Sequence, residues 1–218
     1  MTEQPAGPRS AVEDAGRPFR AGAIGGAEAP RWQRALLGAP GLWLSALWGF
    51  LEGTLFFVVP DVLFSLTTVF SRGRGLLQLG AAVGGAVVAG GVMYSWAAAD
   101  PHAARAAVVA VPFVGEKIVA PVEHRWDDEG ATMLFENPLS GVPYKVYAVT
   151  APPRMSLGTF LLASVPARAE RMTLSWVVFA LVAWWRTARD EHKRRVAAIR
   201  FHIVSWTLLY AVYWTVNV

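Results

Sequence analysis

The sequence contains no cysteine and few charged residues. The absence of cysteine excludes a disulfide framework, a thiolate metal site and a cysteine nucleophile. Charged residues make up 17% of the chain, against about a quarter in a typical soluble domain, and they fall in clusters that leave long uncharged runs. This composition is typical of a membrane protein, and a positive mean hydropathy of +0.36 over 218 residues points the same way.

The charged and polar residues indicate neither a nucleic-acid partner nor an enzyme. The formal net charge is +4, but the basic residues flank apolar segments instead of alternating with exposed aromatic residues. The four histidines have no metal-ligand spacing, and no nucleophile with its base can be assembled from them. We therefore expect no cofactor and no catalytic activity.

The apolar segments predict an all-α, polytopic membrane protein with about three spanning helices. Residues 76–98 carry no charge over 23 positions, or about 34 Å of helix, and their glycines would let another helix approach closely. The second segment, residues 155–185, is interrupted by Pro166, and the third covers residues 201–218. The chain then divides into a disordered tail over 1–30, an interfacial segment over 31–40, a membrane domain over 41–187, a basic cytoplasmic loop over 188–200 and a C-terminal transmembrane helix over 201–218.

A further apolar stretch, near residues 41–71, contains charges and a proline, which predicts a re-entrant hairpin instead of a spanning helix. Pro60 removes a backbone donor and clashes with the preceding turn, so we expect the helix to break there. The piece that follows, residues 61–70, is too short to cross a membrane. Because broken backbone at membrane depth must be satisfied by protein or by a wet cavity, this hairpin implies a cavity.

A second re-entrant hairpin is expected near residues 132–154, where four prolines fall within 17 residues. Here Pro143 is followed by Tyr144 and Lys145, much as Pro60 is followed by Asp61. Paired interrupted segments in the two halves of a chain are typical of transporters built from inverted repeats. The two hairpins are therefore expected to enter the membrane from opposite faces.

Charge asymmetry supports this inverted arrangement. Residues 186–200 contain six basic and two acidic residues, whereas residues 100–129 contain three basic and six acidic ones. By the positive-inside rule the first region is cytoplasmic and the second lies outside. The N-terminus is then cytoplasmic as well.

The charged residues inside the apolar stretches form the expected site. Arg168 and Arg171 lie one helical turn apart, so both guanidinium groups can bind one phosphate headgroup, and Lys145 can join them unless it extends to the membrane surface. Asp61 and Glu52 can exchange protons in a dehydrated cavity. Alternatively, the two arginines pair with these two carboxylates and hold the helices together, and pairing and binding are compatible.

Several motifs occur in order along the chain: FLEGTLFFVVPD at residues 50–61, a glycine-rich helix, GVPYKVY at 141–147, and FLLAS followed by RAER at 160–171. This set resembles the DedA family of bacterial membrane proteins, also called SNARE-associated or VTT-domain proteins, and its YqaA-like branch in particular. The resemblance covers roughly residues 40–187. It implies a lipid flippase or scramblase of the bacterial inner membrane, with Glu52 and Asp61 at acidic positions, Lys145 at a basic position, and Arg168 and Arg171 as a paired-arginine motif.

Two functions follow from these expectations. The first is transport of a phosphate-bearing lipid, such as undecaprenyl phosphate or a phospholipid, with proton coupling through Asp61 or Glu52. The second is a non-catalytic role in membrane assembly or envelope homeostasis, in which the buried charges are structural. The expected partners are membrane lipids with anionic headgroups, with room for a homo-oligomer.

Cysteine labelling tests the predicted topology, because the chain has no cysteine of its own. Single cysteines introduced as Ala110→Cys and Lys193→Cys should react with a membrane-impermeant reagent from opposite sides of the membrane. Labelling of both positions from the same side would contradict the inverted arrangement.

Overall fold

The computed structural model describes residues 30–56, 58–112, 114–135, 141–185 and 191–217. Regular structure in these ranges is entirely helical, which confirms the predicted all-α class. The predicted disordered tail lies outside the described residues, apart from Pro30.

The helices follow one another with short connections. Their bounds are α1 Arg31–Leu37, α2 Ala39–Gly53, α3 Asp61–Phe70, α4 Arg72–Ala99, α5 Pro101–Val109, α6 Gly115–Glu129, a 3-10 helix Gly130–Leu134, α7 Tyr144–Thr150, α8 Leu157–Trp185 and α9 Glu191–Asn217.

Helices α2 and α4 form the most extensive contact between elements, and small residues bring their backbones together. A Cβ atom added at Gly85 would lie 1.9 Å from the carbonyl oxygen of Ala46, and one added at Gly49 would lie 2.1 Å from that of Ala82. The predicted close approach at the α4 glycines is thus confirmed for Gly85. Gly84, in contrast, has no neighbouring atom within 4 Å of such a Cβ.

The predicted helix break at Pro60 is confirmed. Helix α2 ends at Gly53, and α3 begins directly after Pro60, which is its N-cap residue. Helix α3 packs against α4, α8 and α9, so this ten-residue helix lies inside the bundle. The break therefore delivers Asp61, the first residue of α3, to the protein interior.

The second break, before α7, also occurs at a proline. Gly141 has a φ of +69°, a left-handed conformation that glycine adopts without steric cost, and Pro143 then caps the short helix α7. All seven residues of α7 are buried. Residues 136–140, in the middle of the predicted hairpin, lie outside the described residues.

One helix is more continuous than predicted, because α8 runs without interruption through Pro166. Helix α6 likewise contains an internal proline, Pro121. A proline inside a helix removes one backbone hydrogen bond, and contacts with neighbouring helices can outweigh that loss.

The basic loop expected over 188–200 is also corrected, because residues 191–200 form the first turns of α9. Lysine, arginine and alanine are strong helix formers, and Glu191 stands in the first turn, where a negative charge is favourable. The helical preference of these residues thus prevails over their high charge. Residues 188–190 lie outside the described residues.

Among the described residues, one helix, α4, is long and apolar enough to cross a bilayer. The spans predicted over 155–185 and 201–218 do not meet the same condition over their described residues, so the polytopic arrangement stays a prediction. Helices α1 and α2, which are bent by 64° at Gly38, would form a second such segment if they act as one. Shorter apolar helices cover Asp61–Phe70 and Val196–Val212.

The tight contact of α2 with α4 can be tested by adding one methyl group. Gly85→Ala should destabilise the protein by about 1–3 kcal/mol, because the carbonyl group of Ala46 must move. Gly84→Ala is the matched control and should be neutral or slightly stabilising, since it adds a better helix former in open space. Thermal unfolding in detergent measures both changes, and equal melting temperatures for the two variants would contradict this packing.

Candidate anion-binding site

The structure brings all five predicted site residues to one cavity of about 360 Å³. Glu52 comes from the end of α2, Asp61 from the start of α3 and Lys145 from the start of α7. Arg168 and Arg171 come from the middle of α8. The two chain breaks therefore place charged residues against the one long helix that carries both arginines.

Two ion pairs join α8 to the first break. Arg168 donates a hydrogen bond to the Glu52 carboxylate, and Arg171 donates one of 3.0 Å to Asp61 Oδ2. Asp61 is 0% exposed and Arg168 is 2% exposed. The expected pairing of arginines with carboxylates is therefore present, and it connects the two ends of the break to α8.

Lys145 is buried, with 1% of its surface exposed, so its extension to the membrane surface is ruled out. Its ammonium group donates a hydrogen bond of 2.9 Å to the carbonyl oxygen of Phe56, in the irregular segment between α2 and α3. Lys145 thus connects the second break to the first. Its charge stays in the interior, close to the two arginines.

Side chains from three helices satisfy the irregular backbone between α2 and α3. Besides Lys145, Trp48 donates from its indole nitrogen to the carbonyl oxygen of Val58, at 2.9 Å. The phenol oxygen of Tyr210 accepts a hydrogen bond of 3.0 Å from the Val59 backbone N–H. Such partners are what broken backbone inside a membrane protein requires.

Tyr144 and Tyr147 are both buried. The Arg168 guanidinium lies over the Tyr144 ring, 5.0 Å from its centroid, at cation–π distance. The same ring stacks on Phe160 with centroids 5.7 Å apart. Gly90 on α4 makes room for the Tyr144 phenol, because a Cβ there would lie 2.1 Å from its oxygen.

The charges around the cavity do not balance. Three cationic side chains face two carboxylates, which leaves one excess positive charge when all five are ionised. Among the described residues, Arg168 Nε, Arg171 Nε and Asp61 Oδ1 are buried and have no hydrogen-bond partner. Buried polar atoms are normally paired, so two unpaired guanidinium donors favour a ligand that offers acceptor oxygens.

Helix α9 completes the cavity wall with Trp206, Leu209 and Tyr210, which sequence reasoning did not include in the site. Leu209 and Tyr210 follow Trp206 by three and four residues, and this helical spacing was the only available signal. His202 is buried within α9. In the described part of the chain, no three His, Asp or Glu side chains lie close enough to hold a metal ion.

Comparison of the chain with protein-family models, with curated proteins and with solved structures found no match. The DedA resemblance therefore stays a prediction that depends on the motifs quoted above. The fold and the cavity are the observations from which function can be argued.

Proposed function

We propose that this protein is a lipid transporter of the flippase or scramblase kind. In this proposal a phosphate-bearing headgroup binds between Arg168, Arg171 and Lys145. The observation that carries it is the cavity of about 360 Å³, whose lining has one excess positive charge when its five charged side chains are ionised. That volume falls within the usual range of small-ligand sites, about 300–1,000 Å³.

The outer surface supports a lipid environment around this cavity. Trp43 on α2 is 77% exposed and Leu162 on α8 is 78% exposed. Many other large apolar side chains are exposed on helices α2, α4, α8 and α9: Leu44, Leu47, Leu51, Leu76, Leu77, Val88, Val92, Val165, Leu174, Val178, Leu181, Ile203, Val204, Leu208 and Val212. A surface of this kind in contact with water would be an aggregation liability, whereas lipid accommodates it.

Opposite charges at the two ends of α4 support the proposed orientation. Helix α4 begins at Arg72, and the Trp32 ring contacts Phe70 at 5.6 Å, which places the arginines of α1 near this end. At the other end α5 and α6 are joined by Arg105, which bonds to Glu116 and Glu123, and its hydrogen bond to Glu116 lowers the pKa of that carboxyl. We place the basic end and the N-terminus in the cytoplasm of a bacterial cell, and the acidic end outside its inner membrane.

Headgroup binding and the ion pairs can alternate during transport. A phosphate competes with Glu52 and Asp61 for the same guanidinium groups, and bidentate contacts with two arginines favour it. Protonation of Asp61 would weaken its pair with Arg171 and release that arginine for the headgroup. Asp61 lines the cavity directly after Pro60, so it is the carboxylate we assign to proton coupling, with Glu52 as the second.

The ion pairs themselves favour a second candidate function, a non-catalytic role in membrane assembly. Removing one partner of a buried pair typically destabilises a protein by about 3–5 kcal/mol, so Arg168–Glu52 and Arg171–Asp61 can serve as structural ties alone. The two functions differ in whether the cavity must bind an anion.

Lipid translocation in liposomes tests the transport proposal. We expect Arg168→Ala and Arg171→Ala each to slow translocation of a fluorescent anionic phospholipid by about tenfold or more, the value of one charge-assisted hydrogen bond. Arg168→Lys and Arg171→Lys should retain part of the rate, because lysine keeps the charge without the planar fork.

The matched control is Arg105→Gln, which also removes an arginine paired with carboxylates but lies away from the cavity. Its translocation rate should equal that of the wild type. A double variant, Arg168→Ala with Arg171→Ala, that is folded and transports at the wild-type rate would refute the proposal.

A further inference from the structure

We infer that the C-terminal helix α9 is part of the transport site, and that its residues His202, Trp206 and Tyr210 position Asp61. This inference rests on the proposed function, because it assigns these three residues a role in that cycle. None of the three belongs to the motifs that suggested the site. Their contacts with α3 and with the segment before it carry the inference.

His202 and Trp206 both bind α3, the helix that begins with Asp61. His202 Nε2 lies 3.0 Å from the carbonyl oxygen of Val62 and 3.0 Å from Ser65 Oγ. A carbonyl oxygen can only accept, so Nε2 carries the proton and donates to Val62. Trp206 Nε1 donates to the same Ser65 hydroxyl at 3.1 Å.

Tyr210 holds the chain on the other side of Asp61. Its phenol oxygen accepts from the Val59 backbone N–H, two residues before Asp61. The next residue, Pro60, has no N–H, so the Val59 N–H is the last backbone donor before α3 begins. Tyr210 therefore supplies the acceptor that a helix carbonyl would provide in an unbroken helix.

We call the face of α9 that carries His202, Trp206 and Tyr210 the clamp. His202, Trp206 and Tyr210 follow one another at intervals of four, so they share one face of the helix. Between them Ile203, Val204 and Leu208 present exposed apolar side chains. The face that carries these three residues is thus directed at Val59, Val62 and Ser65, which lie on both sides of Asp61.

This arrangement couples the position of α9 to the Asp61–Arg171 pair. Arg171 belongs to α8, whereas Asp61 belongs to α3, which α9 holds through His202 and Trp206, while Tyr210 holds the chain just before α3. Trp206 and Tyr210 also line the cavity. Loss of the clamp should therefore shift the carboxylate relative to its arginine and open the irregular segment to water.

The experiment uses Val59→Cys as the single thiol of the full-length protein, since the native chain has no cysteine. Tyr210→Phe keeps the aromatic ring and removes the acceptor of the Val59 N–H. We expect a water-soluble maleimide to react with position 59 several-fold faster in this variant, and lipid translocation to slow several-fold. The matched control is Tyr94→Phe, which also removes a tyrosine hydroxyl bound to backbone, namely to the carbonyl oxygen of Met155, away from Asp61.

The control should leave both the labelling rate and translocation unchanged. An unchanged labelling rate in Tyr210→Phe would overturn the inference, and so would an equal increase in Tyr94→Phe, which would indicate general loosening. Faster labelling in Tyr210→Phe alone, in a protein whose wild type moves no lipid, would support the clamp and refute the transport function. Maleimide labelling and lipid translocation are measured in the same liposomes, so the two rates can be compared directly.

Discussion

Two ion pairs, one buried and one partly buried, hold helix α8 against the place where the chain breaks between α2 and α3. Arg168 binds Glu52 just before the break, and Arg171 binds Asp61 just after it. Isolated buried charges would be too costly, so the break, the arginines and the carboxylates require one another. Asp61 in the first turn of α3 has its partner on α8, and Lys145 in the first turn of α7 has its partner at the carbonyl oxygen of Phe56.

The distribution of polarity follows from the same constraint. Glu52, Asp61, Lys145 and Arg168 lie inside, while large apolar side chains cover the outward faces of the long helices. Glycines on α2 and α4 bring two of those helices into backbone contact, and Gly90 admits the Tyr144 ring beneath Arg168. Small residues therefore serve both the packing of the bundle and the geometry of the site. A helical bundle with a polar interior and an apolar outer surface suits a lipid environment.

Local chemistry made part of this structure predictable. The break at Pro60 and the start of α7 after Pro143 follow from proline geometry, and a charge next to such a break must find a partner. The effect of Pro166 was not predictable in the same way, because an isolated proline reports a local cost and the surrounding packing decides whether the helix continues. All five charged residues of the site could be named because charge is rare in apolar stretches.

Residues whose role depends on distant contacts were less accessible. Tyr144 matches an interfacial anchor in composition, and only its contact with Arg168 on another helix identifies it as part of the site. His202 likewise gains its role from a contact with α3, and Tyr210 from a contact with the segment before α3, both more than 130 positions away in the chain. Sequence periodicity places such residues on a face of a helix but does not say what that face meets.

The central claim is that the charged residues of the cavity bind an anion in addition to holding helices together. An exchange of charges tests this claim most directly, with Glu52→Arg and Arg168→Glu combined in one chain and both thermal unfolding and translocation of an anionic phospholipid measured. A pair with a purely structural role tolerates the exchange. Our account predicts a folded protein whose melting temperature lies near that of the wild type and whose translocation is lost, because a guanidinium group has left the arginine pair on α8. A folded, exchanged protein that transports lipid at the wild-type rate would contradict it.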